Sequence, residues 1–290
     1  MNMIRKLSGM LGILIWAMIV VSSQTGLADT AKATPAASPH TFTPNVGVVS
    51  NYVFRGLTQT WNKPAIQGGI DYAHAQGWYA GVWASSISDK QYANGWAELD
   101  LSGGFNGKIN NDWTWTVGGI GVYYPSANYD HIKPAGTYPN QSYDTFEVNA
   151  GVGYKWVTLK LSASLTDYYG ANTKTGYNAN SKGTTYLDLT ATVPLPESVF
   201  TKDVTLPLHI GRTNYPNKLL APTAAGTMEP DYTDVKLGIN KAFDGGWNLG
   251  AAYTYASNKA FYNGMPSAKN SSDTINMGGG NVMLALTKTF

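Results

Sequence analysis

The sequence predicts an all-β protein, a transmembrane antiparallel up-and-down β-barrel of about twelve strands, from three observations. About twelve segments alternate apolar and polar residues over lengths that suit a tilted strand in a bilayer. Charged residues make up 13% of the chain, against about 25% in ordinary globular proteins, whereas the chain has 19 Tyr and 9 Trp. The last segment ends on an aromatic residue and turns Val282, Leu284, Leu286 and Phe290 to one face. Few charges and many aromatic residues suit a wall that faces lipid.

The N-terminal part of the chain is expected to lie outside the barrel. Residues 1–28 contain two basic residues, an uncharged apolar stretch and then small residues before position 29, which together predict a cleaved secretory signal peptide. The apolar stretch, 7–21, is shorter than the roughly 20 residues that a membrane-spanning helix needs. Residues 29–42 are rich in Ala, Thr and Pro without periodicity and predict a flexible leader in the periplasm. The barrel itself is expected over 43–290.

The predicted strands follow one another with short and long connections in alternation. The strands are predicted over 45–55, 64–74, 78–87, 96–105, 113–124, 144–154, 156–167, 184–193, 203–213, 232–242, 247–257 and 280–290. Connections after strands 2, 4, 6, 8 and 10 are short or moderate. Those after strands 3, 5, 7, 9 and 11 are polar and mostly longer. Short periplasmic turns opposite long extracellular loops are typical of bacterial outer-membrane barrels, and an even strand number places both termini in the periplasm.

Charged residues provide a separate test, because a lysine or arginine that faces lipid at the bilayer midplane costs roughly 2–4 kcal/mol. In the fourth and sixth strands the alternation turns apolar residues outward and leaves Glu98 and Glu147 inside. Charges with outward parity, such as Lys241 and Lys288, lie near strand ends, where they can reach the headgroups. In the ninth strand Pro207 cannot donate to a ladder, so we expect a bulge or local irregularity there.

Four tryptophans predict an aromatic girdle at one membrane interface. Trp78, Trp113, Trp156 and Trp247 each lie at or beside the start of an odd-numbered strand, directly after a predicted periplasmic turn. Because their amphipathic rings favour the headgroup region, we expect all four at the periplasmic interface.

The inward-facing charges are the candidate functional residues. About eight strands leave an interior that side chains fill, and 16 to 18 leave a wide aqueous channel, so twelve predict a narrow lumen. Two interpretations stay open: a polar conduit that favours cations or neutral polar solutes, or a network in which Lys160 and Lys236 pair with neighbouring acids and close the lumen. Acids predominate modestly among the residues expected to line it, which are Arg55, Asp71, Glu98, Asp100, Glu147, Lys160, Asp188, His209, Asp234 and Lys236.

Other functional classes rest on single features. A formal net charge of +2 gives no reason to expect nucleic-acid binding, and no motif indicates a cofactor or a metal site. One alternative is a lipid-modifying enzyme of the outer membrane, in which His209 would orient a strand serine that the sequence does not identify. Another is a closed barrel that acts as a structural or adhesive surface protein through the tyrosines of its loops. We expect no enzymatic activity, and the oligomeric state is not predicted.

The most distinctive local sequences are SNYVFRGLTQT at 50–60, PAIQGGIDY at 64–72 and GWYAGVWASSI at 77–87. Through them the chain resembles the TorF-type porin family of bacterial outer-membrane proteins, also labelled Gcw_chp. The resemblance covers essentially the whole mature chain, although its sharp motifs are confined to the first third. It implies an outer-membrane barrel with a porin role, and it supplies no substrate or catalytic residue.

Around the first of these segments, alternation places Val48, Tyr52 and Phe54 toward lipid and Arg55 inward. We expect Arg55 to reach an acid across the closing seam or on the fourth strand, and so to help form the outer constriction. Alternatively, its five donors cap loop carbonyls.

The final strand is the expected assembly signal. Its apolar residues should be recognised by the barrel assembly machinery of the outer membrane. Lys288 stands two places before the end, where an aromatic or apolar residue is commoner, and we expect it to weaken this recognition without preventing insertion.

Overall fold

The computed structural model describes residues 38–220 and 226–290, and within these residues twelve antiparallel strands close into a barrel. Each strand pairs with the next along the chain and the last returns to the first, which confirms the predicted fold class. The strands are β1 (His40–Val49), β2 (Ala65–His74), β3 (Trp78–Ser86), β4 (Ala97–Lys108), β5 (Trp113–Tyr123), β6 (Thr145–Tyr154), β7 (Val157–Ser164), β8 (Thr185–Pro194), β9 (Val204–Asn214), β10 (Tyr232–Phe243), β11 (Trp247–Ala256) and β12 (Gly279–Thr289). The predicted signal peptide and the leader up to residue 37 lie outside the described residues. In the described part of the chain no helix is long and apolar enough to cross a membrane.

The barrel closes where β1 meets β12. Five residue pairs join these two strands. Backbone hydrogen bonds extend the seam at both ends, from Ser50 N to Leu284 O at 2.9 Å and from Phe290 N to Pro44 O at 3.0 Å. Closure leaves the sheet without a free edge, so the wall can satisfy its backbone donors and acceptors internally.

The first strand differs from its predicted span of 45–55. β1 begins at His40, so residues 40–42 of the predicted leader belong to the wall, and it ends at Val49. The chain then turns into the lumen, where Tyr52 is only 6% exposed and Phe54 packs beside it. The predicted lipid-facing position of Tyr52 and Phe54 is therefore wrong. The physical reason is that this segment carries polar groups that find buried carboxylates inside the barrel.

The outer wall is apolar over most of its height. Leu101 and Leu237 are 54% and 52% exposed, whereas Glu98 and Glu147, which have inward parity, are 3% and 4% exposed. A continuous exposed apolar belt is unfavourable in water but suits contact with hydrocarbon. The residues of the expected assembly signal also lie on this outer face, namely Val282, Leu284, Leu286 and Phe290.

The four girdle tryptophans lie at the end of the barrel that carries the short turns. Trp78, Trp113 and Trp247 begin β3, β5 and β11, Trp156 directly precedes β7, and all four are between 43% and 58% exposed. At the same end the Lys288 ammonium lies 5.6 Å from the Trp247 ring centroid and donates to a backbone carbonyl of the neighbouring turn. The charged end of this lysine therefore lies at the edge of the apolar belt and not within it.

β9 is locally irregular at its proline. Pro207 lies in a gap of the ladder to β10, between the pairs Thr205–Asn240 and Leu208–Leu237. The register is the same on both sides of the gap, so the strand is interrupted without the inserted residue that defines a bulge.

Candidate functional site in the lumen

The loop that joins β1 to β2, residues 50–64, folds into the lumen, and we call it the inner loop. Tyr52 and Arg55 are 6% and 8% exposed. A short hairpin reverses the chain at Arg55 and Gly56, whose φ angles are 46° and 77°. Glycine is needed at the second position because a Cβ there would lie 2.6 Å from the Cβ of Asp234 on β10. The inner loop thus crosses the lumen at the end of the barrel that carries the long loops.

Arg55 is held inside the lumen by a buried ion pair. Its Nη1 and Nη2 donate to Oε1 and Oε2 of Glu147 on β6 at 2.8 and 2.7 Å, and Nη1 also donates to the Tyr168 hydroxyl at 2.8 Å. The guanidinium carbon lies 4.1 Å from the ring centroid of Tyr186 on β8. Burial alone lowers the pKa of Arg55, but the Glu147 carboxylate raises it well above its ordinary range, so the arginine stays charged. Burial raises the pKa of Tyr168 to about 12.

A second buried carboxylate holds the start of the inner loop. The Tyr52 hydroxyl donates to Oε1 of Glu98 on β4 at 2.6 Å, and the Tyr124 hydroxyl donates to Oε2 at 2.7 Å. The Tyr92 ring stacks on Tyr124 with centroids 4.4 Å apart, and its hydroxyl donates to Gln59 of the inner loop. Burial and the Glu98 carboxylate raise the pKa of Tyr52 and Tyr124 well above the usual range. Both hydroxyls therefore remain protonated donors at neutral pH.

A third cluster surrounds His209 on β9. Its Nε2 lies 2.8 Å from Oδ1 of Asp234, and its Nδ1 lies 3.3 Å from Oδ2 of Asp188 on β8. The Tyr186 hydroxyl lies 2.9 Å from the same Nε2. Lys160 on β7 is the ladder partner of Asp188. The cluster therefore brings together opposite charges on neighbouring strands and satisfies most of them locally.

Three charged residues remain outside these clusters. Asp71 on β2 is half-buried on the inner face. Asp100 on β4 is also half-buried, and its Oδ1 has no hydrogen-bond partner among the described residues. Lys236 on β10 forms no salt bridge in the described part of the chain. Within residues 38–220 and 226–290, these three lumen charges form no salt bridge.

Toward the short-turn end the lumen wall changes character. Many of the inward positions there carry small side chains or hydroxyls, which fill little space, although Tyr79 of β3 and Lys108 of β4 are larger. The small residues include Thr114, Thr116, Gly118, Gly151, Gly153, Thr158, Thr190 and Thr192. The lumen is therefore crowded and charged near the long loops, and lined mainly with small polar groups below them.

The loop between β11 and β12 forms a second cover above the inner loop, and we call it the outer strap. Its Asp273 accepts from Lys90 of the β3–β4 loop at 2.6 Å, and its Lys269 pairs with Asp89 of the same loop. Between the two pairs, Ala268 N donates to Lys90 O at 2.7 Å. These exposed contacts fasten the outer strap across the mouth of the barrel.

Of the ten predicted lumen residues, Arg55, Glu98, Glu147 and Asp234 are buried and the other six are half-buried; nine lie on strands and Arg55 lies on the inner loop. The expected partner of Arg55 was an acid across the seam or on β4, but the structure pairs it with Glu147 on β6 because the inner loop crosses the lumen. Sequence reasoning missed the contact between Tyr52 and Glu98 and the whole outer strap. These contacts join residues 46 and 183 positions apart, for which no local pattern exists.

Comparison with known proteins adds a family match. The family model described as "Bacterial protein of unknown function (Gcw_chp)" matches residues 32–290. Among curated proteins, none matches this sequence.

Solved structures that are similar to this chain match it at low identity. The KdgM porin in complex with disordered oligogalacturonate is 8% identical with a TM-score of 0.47, over 86% of this chain and 99% of that one. OprD of Pseudomonas aeruginosa is 11% identical with a TM-score of 0.38, over 86% of this chain and 66% of that one. OccAB2 of Acinetobacter baumannii is 9% identical with a TM-score of 0.40, over 79% of this chain and 55% of that one.

Proposed function

We propose, from the premise that this chain belongs to the Gcw_chp family of bacterial proteins, that its barrel is an outer-membrane channel for passive diffusion of small polar solutes or ions. The observation that carries the proposal is a closed twelve-stranded wall that is apolar outside and polar inside. The narrower label of a TorF-type porin is part of the same proposal.

The outer surface supports the membrane part of the proposal. In hydrocarbon every backbone group must be paired within the protein, and a closed barrel achieves this. The exposed apolar belt supplies the lipid-facing surface, and the tryptophans at the short-turn end supply one interfacial girdle. In this arrangement the short turns face the periplasm and the long loops face outward. Outer-membrane lipid is then the partner of the wall, and the barrel assembly machinery is the partner of β12.

The lumen supports the transport part. Small side chains and hydroxyls line much of the periplasmic half, beside Tyr79 and Lys108, and most of the lumen charges lie nearer the outer mouth. Once Arg55 pairs with Glu147, and His209 lies between Asp188 and Asp234, the ten predicted lumen residues still contain more acids than bases, namely Asp71, Glu98 and Asp100 against Lys160 and Lys236. This balance favours cations or neutral polar solutes over anions.

The inner loop is the proposed constriction. It enters from β1 and contacts β4, β6 and β10, so it spans the lumen at the outer end. We assign the channel a narrow conformation held by the ion pair of Arg55 and Glu147, beneath the outer strap.

The enzyme alternative has less support in the geometry. Within residues 38–220 and 226–290, the hydrogen bonds of His209 go to Asp188, Asp234, Tyr186 and Thr190, and none goes to a serine. The ring also lies inside the lumen rather than at the lipid surface. A nucleophile and base that act on membrane lipid require the opposite arrangement.

Conductance of the refolded protein in planar bilayers tests the proposal. We expect discrete current steps from the natural protein and larger steps from Arg55→Ala, because the inner loop loses its anchor. Arg212→Ala is the matched control, since this arginine lies on the exposed rim in a salt bridge with Asp231. Silence of the natural protein and of Arg55→Ala at every voltage would reject the channel.

A further inference from the structure

Lys236 stands among donors that have no partner in the described part of the chain. Its ladder partner on β11 is Thr254, whose own partner on β12 is Asn281. Thr254 Oγ1 and Asn281 Nδ2 are both buried without a hydrogen bond, and Lys236 forms no salt bridge among the described residues. Ammonium, hydroxyl and amide groups in one row suit a carboxylate.

On β4, Asp100 stands among acceptors. Its Oδ1 is buried without a hydrogen bond in the described part of the chain. Nearby, the side chains of Asp71 and Ser102 both lie over Gly81 of β3. A Cβ added to this glycine would lie 3.0 Å from Asp71 Oδ1 and 2.9 Å from Ser102 Oγ, so these two side chains are close to each other. Two carboxylates and a hydroxyl on β2 and β4, the two strands that flank β3, suit an ammonium group.

The strand register sets these two groups opposite each other, because β4 and β10 are six strands apart in a ring of twelve. From Lys236, each paired residue on the next strand can be followed around the barrel in a line perpendicular to the strands. After six strands this line reaches Lys108, the last residue of β4. The intermediate partners are His209, Thr190, Thr158, Gly153 and Thr114.

The tilt of the strands then identifies the residue that is level with Lys236. Six strands span about 29 Å of wall, and at a tilt of about 35–45° the level position on β4 is displaced by about 20–29 Å along the strand. Along a strand this distance corresponds to about 6 to 9 residues. It must be counted from Lys108 toward the long loops, because β4 has no residues beyond Lys108 on the short-turn side. The inward residues in this interval are Asp100 and Ser102.

We infer that Asp100 and Lys236 face each other across the lumen, directly beneath the inner loop, and form a binding site for zwitterionic solutes that carry both an ammonium and a carboxylate group. The carboxylate binds at Lys236, Thr254 and Asn281, and the ammonium binds at Asp100 and Asp71. The inference rests on the proposed channel and adds the class of solute that it prefers.

The opposed charges explain why a zwitterion is favoured over a simple ion. A simple cation is attracted by the Asp100 carboxylate but repelled by the Lys236 ammonium. A simple anion is attracted by Lys236 but repelled by Asp100. A solute with both charges gains at both walls when it lies across the lumen. Each lumen charge that lacks a protein partner then obtains one from the solute.

Swelling of proteoliposomes with matched six-carbon solutes tests the inference. The solutes are 6-aminohexanoate as zwitterion, 1,6-hexanediol as neutral molecule, 6-amino-1-hexanol as cation and 6-hydroxyhexanoate as anion. We expect the zwitterion to enter roughly threefold to tenfold faster than the diol, and faster than either ion. Asp100→Asn and Lys236→Met should each bring the zwitterion-to-diol ratio close to 1.

Lys108→Met is the matched control, because it removes an inward lysine from the short-turn end of β4 and should leave the ratio unchanged. The same solutes are measured with Arg55→Ala, in which the inner loop is released, and heat-dependent gel mobility verifies that each variant is folded. If all four solutes enter and neither Asp100→Asn nor Lys236→Met changes the ratio, the zwitterion site is refuted and the channel stands. If no solute enters with either the natural protein or Arg55→Ala, the channel fails and the site with it.

Discussion

Arg55 reaches across the lumen to Glu147 and shares two parallel hydrogen bonds with it, at 2.8 and 2.7 Å, with both side chains about 5% exposed or less. Arg55 belongs to a loop and Glu147 to the wall, so this pair decides where the loop lies. A bidentate guanidinium–carboxylate contact also fixes orientation, which a lysine could not do in the same way. The pair therefore holds the inner loop inside the barrel.

Breaking this pair from either side should release the inner loop. Removing one partner of a buried ion pair costs about 3–5 kcal/mol, whereas removing both costs much less. We expect Arg55→Met and Glu147→Gln each to speed hydrogen exchange of amides 50–64 by roughly tenfold or more, and the double variant by less than the two effects combined. Hydrogen-exchange mass spectrometry in detergent measures this. Exchange that stays slow in both single variants would mean that other contacts hold the loop.

The tyrosines around Glu98 should make the inner loop sensitive to alkaline pH. Burial raises the pKa of Tyr52 and Tyr124 in the folded protein above the ordinary value of about 10. A raised pKa means that the folded state holds these protons more tightly, so the stabilisation is complete below about pH 10 and decreases as pH rises further.

The measurement is hydrogen exchange of the inner loop, corrected for intrinsic rates, between pH 8 and 11. We expect loosening above about pH 10 in the natural protein. Tyr52→Phe should already loosen the loop at pH 8, by roughly 1–3 kcal/mol, because Glu98 loses a donor. An identical pH profile in both proteins would contradict the role of Tyr52.

The outer strap should open when its exposed ion pairs are removed. Each such pair is worth at most about 1 kcal/mol and is screened by salt. The chain has no cysteine, so Ala268→Cys, at a position of the strap that is 6% exposed, provides a unique reporter thiol. In that background, Asp89→Asn with Asp273→Asn should raise the labelling rate severalfold, and high salt should do the same to the parent.

The control is Glu229→Gln, which removes the exposed pair with Lys218 in a different loop and should leave labelling unchanged. Equal labelling rates in the parent and the double variant would show that these ion pairs do not hold the strap.

A charge introduced on the outer face of the wall should lower the free energy of unfolding more than the same charge on the inner face. Leu237 lies in the middle of β10 and is 52% exposed on the outer face, so Leu237→Lys should cost roughly 2–4 kcal/mol in a bilayer. Thr192→Lys places the same charge on the inner face of β8 and should cost much less. The free energy of unfolding by urea in lipid vesicles measures both. Equal costs would argue that lipid does not contact the wall.

The sequence by itself determined the wall of this protein. Residues two apart share a face, so local alternation was enough to predict every strand but the first to within a few residues, the outward position of residues such as Leu101 and Leu237, and the inward position of Glu98 and Glu147. The tryptophans after the short turns likewise follow from their positions in the chain.

Only the tertiary structure decided what lies inside the wall. Tyr52 and Phe54 continue the alternation of β1, yet they leave the wall, because Glu98 and Glu147 become available to the inner loop only once the barrel has closed. The opposition of Asp100 and Lys236 likewise depends on strand register and tilt, which no local pattern contains. Period-two alternation is a property of neighbouring residues, whereas contacts across a lumen join residues that only closure brings together.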